Sequence, residues 1–326
     1  MEYDVIIIGG ACAGLSAATY AGRRALKTLV ITKDIGGQIA TTPSVENYPA
    51  IDFIGGPELA QAMQAQALKW GAKITYDEVS AITKRGEKDF LITGGKGEYS
   101  AKAIILAYGK TPRSMNIPGE KEYAGKGVSY CVTCDAPLYK NRTTIVVGGG
   151  NSAMEGALIL AKICQKVYLV HRRDEFRGEA VLLEQIKNEP KIELVLSSVP
   201  HEVLGDGKYG TGLVVASATV TPNEDGSYPT EALRTIEAHG VFVEIGFIVN
   251  SGLIRELVDL DKMNQVITNK KMETSTSGVF AAGDLTDSPY KQAVVSAGEG
   301  ATAALTAYSY INDGQAPGVD WSSVKP

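Results

Sequence analysis

The sequence is poor in cysteine, histidine and tryptophan, with 4, 3 and 2 of them in 326 residues. Four cysteines cannot build the disulfide framework of a secreted domain. The expected location is therefore a reducing compartment, the cytoplasm, where a close cysteine pair is catalytic or metal-binding rather than structural. His171, His201 and His239 show no ligand spacing. No apolar run reaches the roughly 18 residues of a membrane span, and the best stretch, 157–170, is broken by Lys162 and Lys166, so no transmembrane helix is expected. Positive charge is not in excess either. Lys and Arg number 32 against 37 Asp and Glu, a net charge of −5. That argues against a general nucleic-acid binder, which presents a basic face. The opening Met-Glu-Tyr-Asp holds no basic leader, and the apolar run at 5–8 is too short for a signal peptide.

Hydrophobic residues, at 44%, suffice for a full core, and charged residues, at 21%, are too few for disorder. Glycine is abundant, at 36, which points to tight turns and close backbone approach to ligands. At about 100–200 residues per domain, the length suggests two domains, one able to interrupt the other.

The pattern along the chain alternates. An apolar run at 5–8 ends in Gly9-Gly10 and leads into a small-residue helix through Arg23. That reads as a buried parallel strand, a turn and a helix. A strand is expected at 28–32, and an amphipathic helix at 57–70 with Leu59, Met63, Ala67 and Trp70 on its buried face. Short strands follow up to 103–107. The segment 111–123, with Pro112, Pro118 and Gly119, reads as an extended linker. A second strand–turn–helix unit starts at 144–147, with its second strand at 167–170. Alternation over 201–221 predicts an antiparallel hairpin. A short strand at 279–282 precedes a long helix at 292–311, and the tail beyond is expected to be loosely attached. Two βαβ starts of this kind predict a doubly wound α/β fold.

Two glycine turns carry nucleotide-binding character. Gly9-Gly10-Ala11-Cys12-Ala13-Gly14 is a variant dinucleotide fingerprint with Ala11 where a backbone approaches the pyrophosphate. Gly148-Gly149-Gly150-Asn151-Ser152-Ala153 fits G-x-G-x-x-A more closely. The strand after its helix ends in His171-Arg172-Arg173, with Arg177 beyond. An NAD site would place an acid there; guanidinium groups suit a 2′-phosphate. The competing readings are a ligand-free turn for the first and a solvated basic patch for the second.

Cys131-Val132-Thr133-Cys134 is C-x-x-C, followed by Asp135. A structural zinc would need a second ligand pair, and Cys12 and Cys164 stand alone. A redox disulfide needs only the pair, a helix start to lower one thiol pKa, and an acid such as Asp135 to move a proton. Cys12 and Cys164 read as packing residues.

Together, Cys131–Asp135, Gly148–Glu155, His171–Arg177 and the stretch 278–293 resemble the low-molecular-weight thioredoxin reductases, in that family's motif order and over nearly the whole chain. The resemblance implies two Rossmann-like, three-layer ββα nucleotide-binding domains, the second inserted into the first. Residues 1–115 and 247–326 would bind FAD. Residues 116–246 would bind NADPH and carry the cysteines. By motif match, Gly9, Gly14, Gly37, Gln38, Asn47, Gly109, Asp284, Lys291, Gln292 and Ala293 would contact FAD. Gly148, Gly150, Asn151, Ser152, Ala153, Glu155, His171, Arg172, Arg173 and Arg177 would contact NADPH. Ala11, Cys12, Tyr108, Lys291 and Val249 depart from the family's usual residues.

The activity implied is reduction of a thioredoxin-like disulfide by NADPH through FAD and the Cys131–Cys134 dithiol, with Asp135 as acid/base. A homodimer and no metal are implied too. Because nicotinamide and disulfide both need the flavin, the inserted domain would rotate, with hinges at 111–119 and 244–250. The alternatives are a flavin disulfide reductase fed by ferredoxin or a deazaflavin, which would not need the arginines, and a nucleotide-binding redox sensor without turnover. Peroxiredoxin-reducing relatives carry an extra N-terminal region, whereas this chain opens on its first strand.

Overall fold

The computed structural model describes residues 2–42, 45–176, 179–223 and 226–315. In chain order the elements begin β1 (Glu2–Ile8), α1 (Cys12–Arg23), β2 (Thr28–Thr32), α2 (Gly56–Lys69), β3 (Lys73–Tyr76), β4 (Val79–Gly86), β5 (Asp89–Gly94) and β6 (Gly97–Leu106). Then come β7 (Thr111–Pro112), β8 (Val128–Ser129), α3 (Val132–Asp135), β9 (Thr143–Val147), α4 (Asn151–Ile163), β10 (Lys166–Val170), α5 (Ala180–Asn188) and β11 (Ile192–Val195). The last are β12 (Ser198–Gly205), β13 (Gly210–Ser217), β14 (Leu233–Glu237), β15 (Gly240–Val243), β16 (Phe247–Ile248), β17 (Val279–Ala281) and α6 (Ala293–Ile311). They form two compact units, Met1–Thr111 with Val249–Pro326, and Pro112–Ile248.

In the first unit, β3-β2-β1-β6 are parallel neighbours. The start of β6 pairs antiparallel with β5, and its end, Ile104–Leu106, pairs parallel with β17. Both faces of this sheet are covered, which is why its strands are continuous apolar runs rather than alternating ones. Val5, Ile7, Val30 and Ile105 pack with α1 and α6. Ile6, Ile8, Leu29 and Ile104 pack on the opposite face with Phe90 and Ile92 of the β4–β5 hairpin. Small residues bring α6 onto α1: a Cβ on Gly300 would lie 2.0 Å from the Ala13 carbonyl oxygen. The Ser16 hydroxyl donates to the Ala297 carbonyl at 2.7 Å.

The second unit repeats this plan. Its sheet, β11-β10-β9-β15-β8, is parallel throughout. One face carries α3, α4 and α5, with Met154, Ala157 and Leu160 against Val146, Leu169 and Phe242. The other carries the antiparallel sheet β12-β13-β14, with Val203, Leu213 and Ile236 against Ile145, Val147 and Val241. The fold is thus α/β with two three-layer, Rossmann-like sheets.

Three local expectations need correction. Trp70, placed on the buried face of α2, is 39% exposed, with the Arg23 guanidinium 4.8 Å from its ring centroid. It follows the last helical turn, so it escapes the helical periodicity that buries Leu59 and Ala67. Cys164, which the apolar run of Leu158, Leu160 and Ile163 places on a helix, instead closes α4 in extended backbone, although it is buried as expected. The segment 111–123 is not simply extended. From Ser114 onward it is gathered round one buried carboxylate, described below.

Candidate active site

In the first unit, the turn between β1 and α1 is built by steric exclusion. Gly9 has φ +117°, and a Cβ there would lie 2.3 Å from the Ala107 carbonyl oxygen. A Cβ on Gly14 would lie 1.9 Å from the Gly9 carbonyl oxygen. Only glycine lets β1, the end of β6 and α1 meet this closely. α1 follows Ala11 at its N-cap, with no side-chain cap and no acid in its first turn among the described residues. Its leading N–H groups therefore stay available to an anion. α2 contrasts with it, because Glu58 reaches back to the Gly55 N–H at 3.3 Å.

Hydrogen bonds fix the other residues expected at this site, two of them over long sequence distances. The Gln38 amide donates to the Lys110 carbonyl at 2.7 Å, just after Gly109, whose φ is +67°. The Gly37 N–H donates to Asp34 at 3.0 Å. The Asn47 amide donates to Gln292 at 3.1 Å, which sets that loop beside the start of α6 at Ala293. Asp284 accepts from Ser296 at 3.4 Å. Its carboxylate adds to burial in pushing the Cys12 thiol up to about 11, so Cys12 stays a neutral packing residue at neutral pH. The Lys291 ammonium donates to the Thr286 carbonyl. Burial lowers its pKa, opposed by Asp284, Glu299, Asp287 and Asp261.

In the second unit, Gly148 has φ +158°, and a Cβ there would lie 2.3 Å from the Glu244 carbonyl oxygen. At Gly149 a Cβ would strike the His171 ring at 2.0 Å. His171 is buried, stacks on Phe176 at 5.1 Å, and so packs beneath the turn. A Cβ on Gly150 would meet no described atom within 4 Å, so space is open at the start of α4. α4 also lacks a side-chain cap and a first-turn acid among the described residues. Ala153 is buried, while Ser152 and Glu155 are exposed. Asn151 and Glu179 exchange two hydrogen bonds, at 3.0 and 2.9 Å. Arg172 is exposed and Arg173 half-buried. Arg177 lies outside the described residues.

The cysteines belong to this same unit. Cys131 and Cys134 form a disulfide, with Cα atoms 5.4 Å apart. Cys131 precedes α3, and Val132 packs on α4, where a Cβ on Gly156 would lie 2.9 Å from its side chain. The Thr133 hydroxyl lies 3.4 Å from Cys131 Sγ. Asp135 is 6% exposed, and burial raises its pKa while a hydrogen bond from Ser129 pulls it back. That bond is 2.7 Å, from Ser129 Oγ to Asp135 Oδ2. Ser129 Oγ also accepts from the Cys131 N–H at 3.1 Å. Asp135 Oδ1 is buried with no partner among the described residues.

Sequence reasoning missed two groups here. Ser129 is one. The other is Glu120, only 1% exposed. Its Oε2 accepts from the Ser114 hydroxyl at 2.6 Å and the Asn116 N–H at 2.8 Å. Its Oε1 accepts from the Met115 N–H at 2.9 Å and the Tyr130 hydroxyl at 3.0 Å. This fastens residues 114–116 to the strand that leads into Cys131. Neither residue sits in a spacing that betrays its partners; their only signal is nearness to the cysteine pair and to Pro118-Gly119.

Known proteins resemble this chain. The family model described as pyridine nucleotide-disulphide oxidoreductase matches residues 3–300. A thioredoxin reductase of Treponema pallidum is 39% identical over 313 residues, covering 95% of this chain and 98% of that protein. The structure of a thioredoxin reductase from Streptococcus pyogenes superposes with a TM-score of 0.87 at 32% identity, covering 96% of this chain and 99% of the other. One from Giardia duodenalis gives 0.84 at 37% identity, covering 95% and 99%.

Proposed function

The chain belongs to the pyridine nucleotide-disulphide oxidoreductase family, and from that premise we propose that it is an NADPH-dependent, FAD-containing thioredoxin-disulfide reductase. Electrons pass from NADPH through FAD and the Cys131–Cys134 dithiol to a disulfide of thioredoxin or a thioredoxin-like protein. The observation that carries this reading is the C-x-x-C disulfide whose intervening Val132 packs on α4, the helix that leaves the Gly148 turn. The thioredoxin reductases it resembles along nearly their full length support it.

The residues present fit both cofactors. The uncapped starts of α1 and α4 offer N–H groups and a positive dipole end to a pyrophosphate. FAD would be held by Gly9, Gly14, Gly37, Gln38, Asn47, Gly109, Asp284, Lys291, Gln292 and Ala293, all in the first unit. NADPH would be held by Gly148, Gly150, Asn151, Ser152, Ala153 and Glu155, with His171 beneath the turn. Arg172, Arg173 and Arg177 would select the 2′-phosphate. When bound, FAD supplies two-electron transfer between the nicotinamide and the disulfide. Asp135, kept largely dry, holds a proton more readily than a surface carboxyl, which suits an acid that protonates a departing thiolate.

Residues 1–115 and 247–326 form the FAD domain in this reading, and 116–246 the NADPH domain. Hinges lie within 111–119 and 244–250, where the two compact units exchange chain. No described helix is long and apolar enough to cross a membrane. We place the protein in the cytoplasm as a homodimer. The scarcity of cysteine supports the compartment, and light scattering tests the dimer. The function is tested by steady-state reduction of a thioredoxin disulfide with NADPH or NADH as donor. Turnover with NADPH that is abolished by Cys134→Ser is expected. A protein that binds flavin and nucleotide but reduces no protein disulfide refutes the reading.

A further inference from the structure

The environment of Asp135 is asymmetric at the level of its two oxygens. Oδ2 is 2.7 Å from Ser129 Oγ, and Oδ1 is buried with no partner among the described residues. Ser129 has one hydroxyl proton, and of the two acceptors in reach Asp135 Oδ2 at 2.7 Å is far nearer than the Cys131 carbonyl at 3.4 Å, while a lone pair of the hydroxyl receives the Cys131 N–H at 3.1 Å. A single buried hydroxyl, 5% exposed as a residue, thus links the acid to the backbone of the redox cysteine.

We propose that Ser129 is a positioning residue for proton transfer at the disulfide: it occupies Asp135 Oδ2, confines the exchangeable proton to Oδ1, and locks that carboxyl in register with Cys131. This rests on the disulfide-reductase reading. Opening the Cys131–Cys134 bond takes two electrons, supplied by bound reduced flavin. The S–S bond breaks, one sulfur remains as thiolate, and the other takes the proton from Asp135 Oδ1. Asp135 is left as a carboxylate accepting from Ser129, and regains its proton from water.

The groups around Asp135 leave Ser129 as the donor that matters. On α3 itself the two cysteines are joined. On the following turn Tyr139 is a phenol raised to about 12 by burial and by the Asp135 charge, with Arg142 pulling the other way. α4 faces α3 with Gly156, and its Glu155 is exposed. The hydrogen bond from Ser129 favours the ionised carboxyl, so its loss must raise the pH at which Asp135 titrates.

The experiment is an infrared pH titration of the oxidised holoenzyme, following the protonated-carboxyl band that Asp135→Asn removes. In Ser129→Ala the midpoint is expected to rise by about one to two pH units, the equivalent of one charge-assisted hydrogen bond, and in Ser129→Thr to return toward wild type. The pH limb of single-turnover disulfide opening should move with it. Ser129→Gly serves as a second deletion if the alanine variant folds poorly. A band sensitive to Asp135→Asn but with the same midpoint in wild type and in the deletion variant overturns the proposal. Because the infrared midpoint needs no protein substrate, it judges Ser129 even if the wild type reduces no thioredoxin, a result that would refute the function instead.

Discussion

Glu120 is a buried carboxylate with four donors on its two oxygens. An ionised carboxylate has acceptor capacity for all of them. Glu120→Ala would leave the Ser114 and Tyr130 hydroxyls and the Met115 N–H without this acceptor, while the Asn116 N–H keeps Ser114 Oγ at 3.0 Å, and should cost about 3 kcal/mol in urea-monitored stability. Asp135 carries a different prediction. Burial raises its folded pKa, so the native state holds a proton that the unfolded chain has lost. Stability therefore falls as pH rises from the ordinary carboxylate range through the raised folded value, and the full cost persists above it. Asp135→Asn should raise the melting temperature at neutral pH while depressing turnover. Thermal scans at acid and neutral pH check this, since the gain should shrink on acidification. At the arginines, replacing Arg172 and Arg173 together by Ala should raise the NADPH KM on the order of 10²-fold and leave FAD content unchanged.

The helix starts separate glycines that lie under a neighbouring carbonyl from one that faces open space. Gly14 lies under a neighbouring carbonyl, with 1.9 Å available to a Cβ. Gly14→Ala should push α1 off β1 and yield a protein that neither folds well nor retains flavin. Gly150 faces open space at the start of α4. Gly150→Ala should cost about 1 kcal/mol in stability, because alanine is a poorer N-cap than glycine, without the steric clash that Gly14→Ala meets. Yet it should weaken NADPH binding, which a fluorescence titration would detect. What could be read from sequence follows the same division. The β1–α1 and β9–α4 starts were legible because strands covered on both faces become apolar runs and their glycines have no substitute. The β12–β13 hairpin was legible from alternation. Trp70 was not, because it sits where the helix period ends. Glu120 and Ser129 were not, because what makes them matter is a set of donors brought together by folding: Ser114 and Tyr130 in one case, Cys131 in the other.

At the scale of the whole molecule, the same three-layer unit occurs twice, and each candidate nucleotide turn lies within one of them. The cysteines share a unit with the Gly148 turn; on the proposed reading, electrons enter and leave the flavin through that one unit. If that unit rotates between two working positions, a short covalent link between the units should stop turnover while FAD stays bound; normal steady-state turnover in the linked enzyme would remove rotation from the account. The most direct measurement is an anaerobic titration with NADPH, with NADH as control, following flavin absorbance. The account predicts bleaching by NADPH and little by NADH, with wild type taking up one electron pair for the flavin and a second for the disulfide, and Cys134→Ser taking up only the first. A flavin that dithionite reduces but NADPH leaves yellow would contradict it, and would point to ferredoxin or a deazaflavin as the donor.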